Sequence, residues 1–202
     1  AVSSMTGGTV SVNGTVRDLP CEIQIPMGSK ALIQPVPDAA KQFVTWTGDV
    51  PADDVTSDPL WLVMDTDRSI GANFGVAQRT LSIARADAGA VRVDGVLQTL
   101  PWQTTVAHGT SMTLEPVPNE NWLFDCWSGA ITSGSAEANP LEVTMDGDCA
   151  IDVHFKRRTW RLSILEATRG KVRVNGAVHD LPWEGDVIHG DTVRLDPVPN
   201  PD

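Results

Sequence analysis

The chain has 202 residues, with a hydrophobic content of 41%, a charged content of 20% and a formal net charge of −11. This balance is typical of a folded protein and excludes a disordered one. The acidic charge argues against nucleic-acid binding, which needs a basic face, and the sequence has no apolar run long enough to span a membrane.

The sequence repeats at a spacing of 81 residues without an insertion or deletion. We divide it into copy 1 (1–78), copy 2 (79–158) and copy 3 (159–202), which holds only the first half of a unit. Because both ends fall inside a repeat, we expect a segment of a longer array. Arrays of this kind usually span distance or present surface. The positions that return in all three copies include glycines, prolines and a Pro-Val-Pro segment: Gly14/Gly95/Gly176, Pro20/Pro101/Pro182 and 35–37/116–118/197–199.

The first half of each copy predicts strands joined by tight turns. In copy 2, Leu81 and Ile83, and then Val91 and Val93, alternate with polar residues, which is the pattern of half-buried strands. A dipeptide that favours a type I′ hairpin turn follows, because this turn needs two positive φ angles. An Asn-Gly or Asp-Gly dipeptide occurs at one register in every copy: Asn13-Gly14, Asp94-Gly95 and Asn175-Gly176.

The second half of a copy adds further strands around an aromatic pair. Phe124 and Trp127 fall on one predicted strand, and Pro140 opens another. The stretch from Ile151 to Phe155 alternates again and closes the copy. We therefore predict an all-β unit of roughly six short strands without a helix.

These motifs resemble the divergent internalin B-type repeat family of bacterial proteins. The resemblance covers copies 1 and 2 and the first half of copy 3. It implies small β-grasp-like modules, arranged as an extended tandem array on a secreted or surface-anchored bacterial protein, with no shared catalytic residue or ligand. In copy 2 the residues that carry it are 91–95, Gly109, 116–118, 124–129, 139–141, 145–148 and Phe155.

Aromatic residues that are identical between copies are explained by the fold alone. We predict that they form the core: Phe43, Trp46, Phe74, Phe124, Trp127 and Phe155. Phe124 and Trp127 are three residues apart, which a flat strand would place on opposite faces. A β-bulge or a sharp twist at the strand end would bring both to the same face.

Tryptophans that differ between copies are candidates for binding or for packing at the junctions between units. Trp102 and Trp183 share a register at which copy 1 has Cys21, and Trp61, Trp122 and Trp160 each occur in one copy alone. Exposed Trp suits glycan stacking or a protein contact. Packing at junctions is the alternative that we favour, because neighbouring units need an apolar contact.

Two of the three cysteines, Cys126 and Cys149, occur together in copy 2, and both are replaced in copy 1. Each shares the phase of inward-facing residues, so we predict a disulfide between them, which would place the protein in an oxidising compartment. Two buried thiols are the alternative.

The sequence favours a structural role. No catalytic, metal-binding or cofactor-binding pattern stands out, so we expect neither an enzyme nor a cofactor. We expect a stalk, spacer or filament outside the bacterial cell, whose partners are neighbouring repeats or copies of itself. The half unit in copy 3 would also accept another chain by strand addition. The alternatives are an adhesin that binds a glycan or protein, and an accessory region of a secreted enzyme.

Overall fold

The computed structural model describes residues 2–4, 6–84, 86–131, 134–165 and 170–199. Within these ranges the chain forms 20 β-strands and one short 3₁₀ turn at Ala52–Asp54, and it has no α-helix. The all-β class predicted from the sequence is therefore confirmed.

Copy 1 contains two small sheets. One has the strand order β3-β2-β4-β6, and the other has the order β1-β7-β5, in which β1 and β7 run parallel. The strands are β1 (Val2–Ser4), β2 (Gly8–Val12), β3 (Thr15–Arg17), β4 (Lys30–Pro37), β5 (Lys41–Gly48), β6 (Leu60–Val63) and β7 (Ile70–Val76).

Copy 2 repeats this arrangement with eight strands, more than the rough count from its sequence. One sheet has the order β10-β9-β12-β14, while β8 lies beside β11 and β13 pairs antiparallel with β15. The strands are β8 (Gln78–Ile83), β9 (Gly89–Val93), β10 (Val96–Gln98), β11 (Trp102–Ala107), β12 (Ser111–Pro118), β13 (Trp122–Gly129), β14 (Leu141–Thr144) and β15 (Cys149–Arg157).

Copy 3 has the strands of a first half. β16 pairs antiparallel with β19, and the other sheet has the order β18-β17-β20. The strands are β16 (Thr159–Ile164), β17 (Lys171–Val174), β18 (Ala177–His179), β19 (Trp183–Ile188) and β20 (Leu195–Val198).

The chain forms two compact bodies whose bounds differ from those of the sequence copies. One compact body comprises 1–81, 103–111 and 144–149, and the other comprises 82–102, 112–143 and 150–202. The first body has a core of alternating strand residues around Trp46: Val10, Val12, Ala31, Ile33, Leu60, Leu62, Ile70 and Ala72. In the second body, the fully buried side chains include Ile83, Val91, Leu114, Trp127, Leu141, Val143 and Ile151.

The hairpin dipeptides adopt the backbone conformation that a type I′ turn requires. Asn13 and Gly14 have φ of 49° and 81°, and Asp94 and Gly95 have φ of 47° and 81°. Asn175 and Gly176 follow with 46° and 92°. Each turn joins two antiparallel strands, β2 to β3, β9 to β10 and β17 to β18.

A β-bulge lies at the aromatic pair in both complete copies. The register of β13 against β15 shifts between Phe124 and Cys126, and the register of β5 against β7 shifts at the equivalent position. The bulge brings Phe124 and Trp127 onto one face, with their ring centroids 5.4 Å apart. Of the two alternatives that the spacing left open, the structure has the bulge.

The two buried tryptophans also form hydrogen bonds with the loops that follow them. Trp46 and Trp127 are each 1% exposed. The indole N–H of Trp46 donates to the Ser57 carbonyl at 2.7 Å, and that of Trp127 donates to the Ala138 carbonyl at 2.8 Å. The loop of copy 1 is acidic, and that of copy 2 is rich in Ser and Ala. The same indole hydrogen bond therefore holds two loops of different sequence.

Candidate functional site: the junctions between repeats

A single residue separates the last strand of one copy from the first strand of the next. It is Ala77 between β7 and β8, and Arg158 between β15 and β16. The Ala77 N–H donates to the Ala40 carbonyl at 2.9 Å, and the Ala77 carbonyl accepts from the His108 N–H at 2.8 Å. Each junction residue therefore bonds backward to a loop of its own copy and forward to a turn of the next.

The second junction repeats these bonds at positions 81 residues later. The Arg158 N–H donates to the Asn121 carbonyl at 2.9 Å, and the Arg158 carbonyl accepts from the His189 N–H at 2.7 Å. All four bonds use main-chain atoms only, which explains why Ala and Arg occupy the same register.

Side chains around the second junction form a cluster of aromatic and cationic groups. The Arg158 guanidinium lies 5.5 Å from the centre of the Trp160 ring, a cation–π arrangement. The Trp160 indole N–H donates to Nδ1 of His189 at 3.1 Å. Arg157 lies 5.7 Å from the centre of the Trp122 ring.

The first junction has different side chains at the same register. Arg79 stands where copy 3 has Trp160, and it is half-buried. Nδ1 of His108 lies 3.9 Å from a carboxylate oxygen of Asp146. The Thr80 N–H donates to the Asp148 carboxylate at 2.8 Å. The side chains thus vary between the two junctions while the backbone bonds are retained.

The copy-specific tryptophans occupy different environments. Trp160 is 51% exposed, although it adjoins the junction. Trp102 and Trp183 are half-buried. The Trp183 ring lies 5.2 Å from the His179 ring and covers Gly185, both within copy 3.

Trp61, one of the tryptophans that occur in a single copy, forms an exposed apolar patch with its neighbours in copy 1. It is 57% exposed, pairs across strands with Leu32 and lies two residues from Val63, which is 48% exposed. The alternation along β6 could have identified it in the sequence. Trp61 lies between Leu60 and Leu62, which are buried, so its side chain points outward. The equivalent residue of copy 2 is Glu142.

The predicted disulfide between Cys126 and Cys149 is wrong. All three cysteines lie in the part of the chain that the structure describes, and none of them is joined in a disulfide. Cys126 pairs across strands with His154, which is five residues from Cys149 along β15. That offset corresponds to about 16 Å along a strand, far beyond the Cα separation that a disulfide spans. The inference of an oxidising compartment loses this support.

The predicted core aromatics lie at or beside the cores. Trp46 and Trp127 are buried, while the four phenylalanines are half-buried. The Phe43 ring lies 4.8 Å from the Trp46 ring and 6.3 Å from the Phe74 ring. Phe124 pairs with Phe155 across β13 and β15.

One pair of reactive residue types lies on the outer face of copy 2. Oγ of Ser128 and Nε2 of His154 are 2.7 Å apart, and Asp152 pairs with Ser128 across the strands. His154 and Asp152 are exposed to solvent. Among the described residues, no group of three or more His, Cys, Asp or Glu is placed to hold a metal ion, and no helix has the length and apolarity to cross a membrane.

The comparison with protein families finds one repeat in copy 1 and one in copy 2. The profile of the divergent InlB B-repeat domain matches residues 1–78 and 92–159, which together make up most of the chain. The protein therefore belongs to the divergent InlB B-repeat family, and it is a repeat module of the structural or surface type. No curated protein and no solved structure gives a significant match to the chain.

Proposed function

We propose that this chain is a spacer or stalk segment of a bacterial surface protein, built from successive repeats that are joined by a short, hydrogen-bonded connection. The observation that carries this proposal is the pair of main-chain hydrogen bonds at Ala77 and at Arg158. A single connecting residue that is bonded on both sides has little freedom to act as a hinge.

The order of the array supports the same role. Copy 2 follows copy 1, and copy 3 follows copy 2, through the same one-residue connection at the same register. The net charge of −11 favours solubility and repulsion between distant parts of a long chain. We infer that the protein acts outside the cell, where proteins of this family's surface type operate. Catalysis is not part of the proposed role.

We also propose that each unit is β-grasp-like, as the family resemblance implies. The support is the parallel pairing of β1, the first strand of copy 1, with β7, its last strand. An experimental structure of one complete repeat tests this assignment. A unit whose terminal strands do not pair would contradict it.

The spacer role is tested by NMR relaxation on the intact chain. We expect copies 1 and 2 to share one rotational correlation time. Insertion of two glycines after Ala77 should separate them into two faster-tumbling groups. The matched control inserts two glycines after Asp53, which lies in the exposed 3₁₀ turn of a loop. Separate correlation times in the unmodified chain would contradict the proposal.

An adhesin remains the second candidate, because Trp61 presents an exposed indole on a complete copy. Its neighbours Leu32 and Val63 extend the apolar surface. A glycan array and a protein-binding screen would test this candidate. Binding that is lost in Trp61→Ala and retained in Trp160→Ala would favour the adhesin.

A further inference from the structure

Strand β6 of copy 1 is an open edge of its sheet. Among the described residues, the sheet β3-β2-β4-β6 ends at this strand, which pairs only with β4. The open edge is a property of the repeat, because β14, the equivalent strand of copy 2, also ends its sheet. A strand at an edge can pair with a strand from another polypeptide.

The main-chain groups of Trp61 and Val63 point away from β4. The Met64 N–H donates to the Ser29 carbonyl at 2.9 Å, and the Met64 carbonyl accepts from the Gly28 N–H at 2.8 Å. Main-chain groups alternate in direction along an antiparallel strand, so the groups of the two residues at odd positions of β6 face the open edge. Both residues can therefore donate to an added strand and accept from it.

The outward face of the same strand is apolar. Trp61 is 57% exposed and Val63 is 48% exposed, while the alternate residues Leu60 and Leu62 are buried. Leu32, which is half-buried on β4, lies opposite Trp61. Aromatic and β-branched residues that lie opposite each other stabilise a sheet, so an added strand with apolar outward side chains would fit this face.

Copy 2 has polar residues at the same outward positions. Glu142 and Thr144 stand at the registers of Trp61 and Val63. The inward positions of β14 are buried, as they are in β6. A charged side chain on an edge strand disfavours strand addition. Of the two complete copies, copy 1 alone therefore presents an apolar edge strand.

Carboxylates flank the apolar edge at both ends. Asp58 precedes β6, and Asp65 and Asp67 follow it, and all three are exposed. Asp65 forms an ion pair with Arg68 at 2.8 Å, whereas no cation within the described ranges is paired with Asp58 or Asp67. This charge favours a partner segment with a cationic residue at each end of its apolar stretch. It disfavours a second copy of the chain, whose own flanking aspartates would lie beside these.

We propose that the open edge of β6 is a binding site for an extended, basic segment of another protein. The segment adds antiparallel to β6, since the other strand pairs of this sheet are antiparallel. Its alternate apolar side chains pack on Trp61 and Val63, and its terminal Lys or Arg residues pair with Asp58 and Asp67. The proposal rests on the adhesin candidate, for which it names a class of ligand, and it does not depend on the spacer role.

The test titrates the full 202-residue chain with a synthetic peptide that has Lys at both ends and alternating Val and Thr between them. Calorimetry measures the affinity, and hydrogen exchange followed by NMR measures the location. In the free chain the amides of Trp61 and Val63 should exchange quickly, because they face the open edge. We expect one peptide per chain and slower exchange of these two amides in the complex.

Two altered peptides test charge and main-chain pairing separately. A peptide with Glu in place of each Lys should bind at least roughly tenfold more weakly, because it meets the flanking aspartates with like charge. A peptide with Pro at its central position should lose binding, because Pro supplies no N–H to a strand pair.

Variants of the chain distinguish the β6 edge from the opposite edge of the same sheet. Trp61→Thr should weaken binding of the Lys peptide roughly tenfold. Asp58→Asn should narrow the difference in affinity between the Lys and Glu peptides. Val16→Thr is the matched control and should leave binding unchanged, because Val16 is 60% exposed on β3, the strand at the other edge. Circular dichroism shows whether each variant keeps its fold.

Three results would overturn the proposal directly: the Lys peptide does not bind, it binds no more tightly than the Glu or Pro peptide, or it protects amides of β3 in place of those of β6. Slow exchange of the Trp61 and Val63 amides that depends on the concentration of the chain alone would show instead that a second copy occupies the edge. Glycan binding that is lost in Trp61→Ala, without any peptide binding, would retain the adhesin candidate and overturn the basic segment as its ligand.

Discussion

Asn13 and Leu32 exchange two hydrogen bonds although they are 19 residues apart. The Asn13 N–H donates to the Leu32 carbonyl at 2.8 Å, and the Leu32 N–H donates to Oδ1 of Asn13 at 2.9 Å. The residue that makes the hairpin turn thus also pairs with a third strand. The other copies repeat this exchange between Asp94 and Thr113 and between Asn175 and Arg194.

We expect Asn13→Ala to destabilise copy 1 by about 1–2 kcal/mol. The substitution removes the acceptor of the Leu32 N–H and places a Cβ-bearing residue without a polar side chain at positive φ. Hydrogen exchange of β2 amides measures the change. Asn13→Asp is the control, because copy 2 has Asp94 at this register, and equal effects of Ala and Asp would contradict the expectation.

The indole N–H of Trp127 should matter separately from its bulk. Trp127→Phe keeps an aromatic ring but loses the bond to the Ala138 carbonyl, so we expect a loss of about 1–3 kcal/mol and faster amide exchange in residues 134–139. Trp127→Ala should cost about 3–5 kcal/mol. Trp61→Phe, at an exposed indole, is the control and should change stability by less than about 0.5 kcal/mol.

Gly129 tolerates no side chain. Its φ is +97°, and a Cβ atom there would lie 2.3 Å from the Ala150 carbonyl oxygen. We expect Gly129→Ala to destabilise copy 2 by about 3 kcal/mol or more, measured by denaturant unfolding. Gly147→Ala is the matched control, since no heavy atom lies within 4 Å of the added carbon. A difference of less than about 0.5 kcal/mol between the variants would contradict this prediction.

The two cysteines of copy 2 should differ in reactivity. Cys149 is 2% exposed, and burial raises the pKa of its thiol, so less thiolate forms at neutral pH. Cys126 is partly exposed. Mass spectrometry after brief alkylation should find Cys126 labelled well before Cys149, with the difference lost in guanidinium. A disulfide formed between Cys126 and Cys149 in the native protein would contradict the register of β13 against β15.

A cross-strand ion pair joins Arg161 on β16 to Glu184 on β19 in copy 3. Hydrogen bonds from Arg161 hold the pKa of Glu184 below its usual value. A carboxylate with a lowered folded pKa stabilises the fold above its unfolded pKa, and this contribution is lost as the pH falls through the folded value. Protection factors in β16 and β19 should therefore fall between about pH 5 and pH 3. Glu184→Gln should remove this fall in the protection factors. The same pH dependence in the variant and in the unmodified chain would contradict the prediction.

The repeat made most of the fold predictable. Residues that must be Gly, Asn or Asp for backbone reasons, such as Asn13 and Gly14, recur at one register, and three occurrences identify the turn without an alignment. The bulge beside Phe124 followed from spacing, because two aromatic residues three apart can share a face only if the strand is irregular.

The pairing of Cys126 and Cys149 could not be predicted from the sequence in the same way. Phase along a strand fixes which face a residue lies on, but the distance along the partner strand depends on register, which turns and bulges set. The same limit applies to the junction. Its bonds join main-chain atoms of Ala77 and His108, and no side chain marks them in the sequence.

The main-chain character of the junction has a genetic consequence. Because Ala77 and Arg158 make the same bonds with unrelated side chains, the connection is specified by register alone. We expect recombination between two copies that preserves the 81-residue frame to yield a product that can form the same main-chain bonds. The number of repeats can thus change in a single event, while the outward residues of each copy diverge independently.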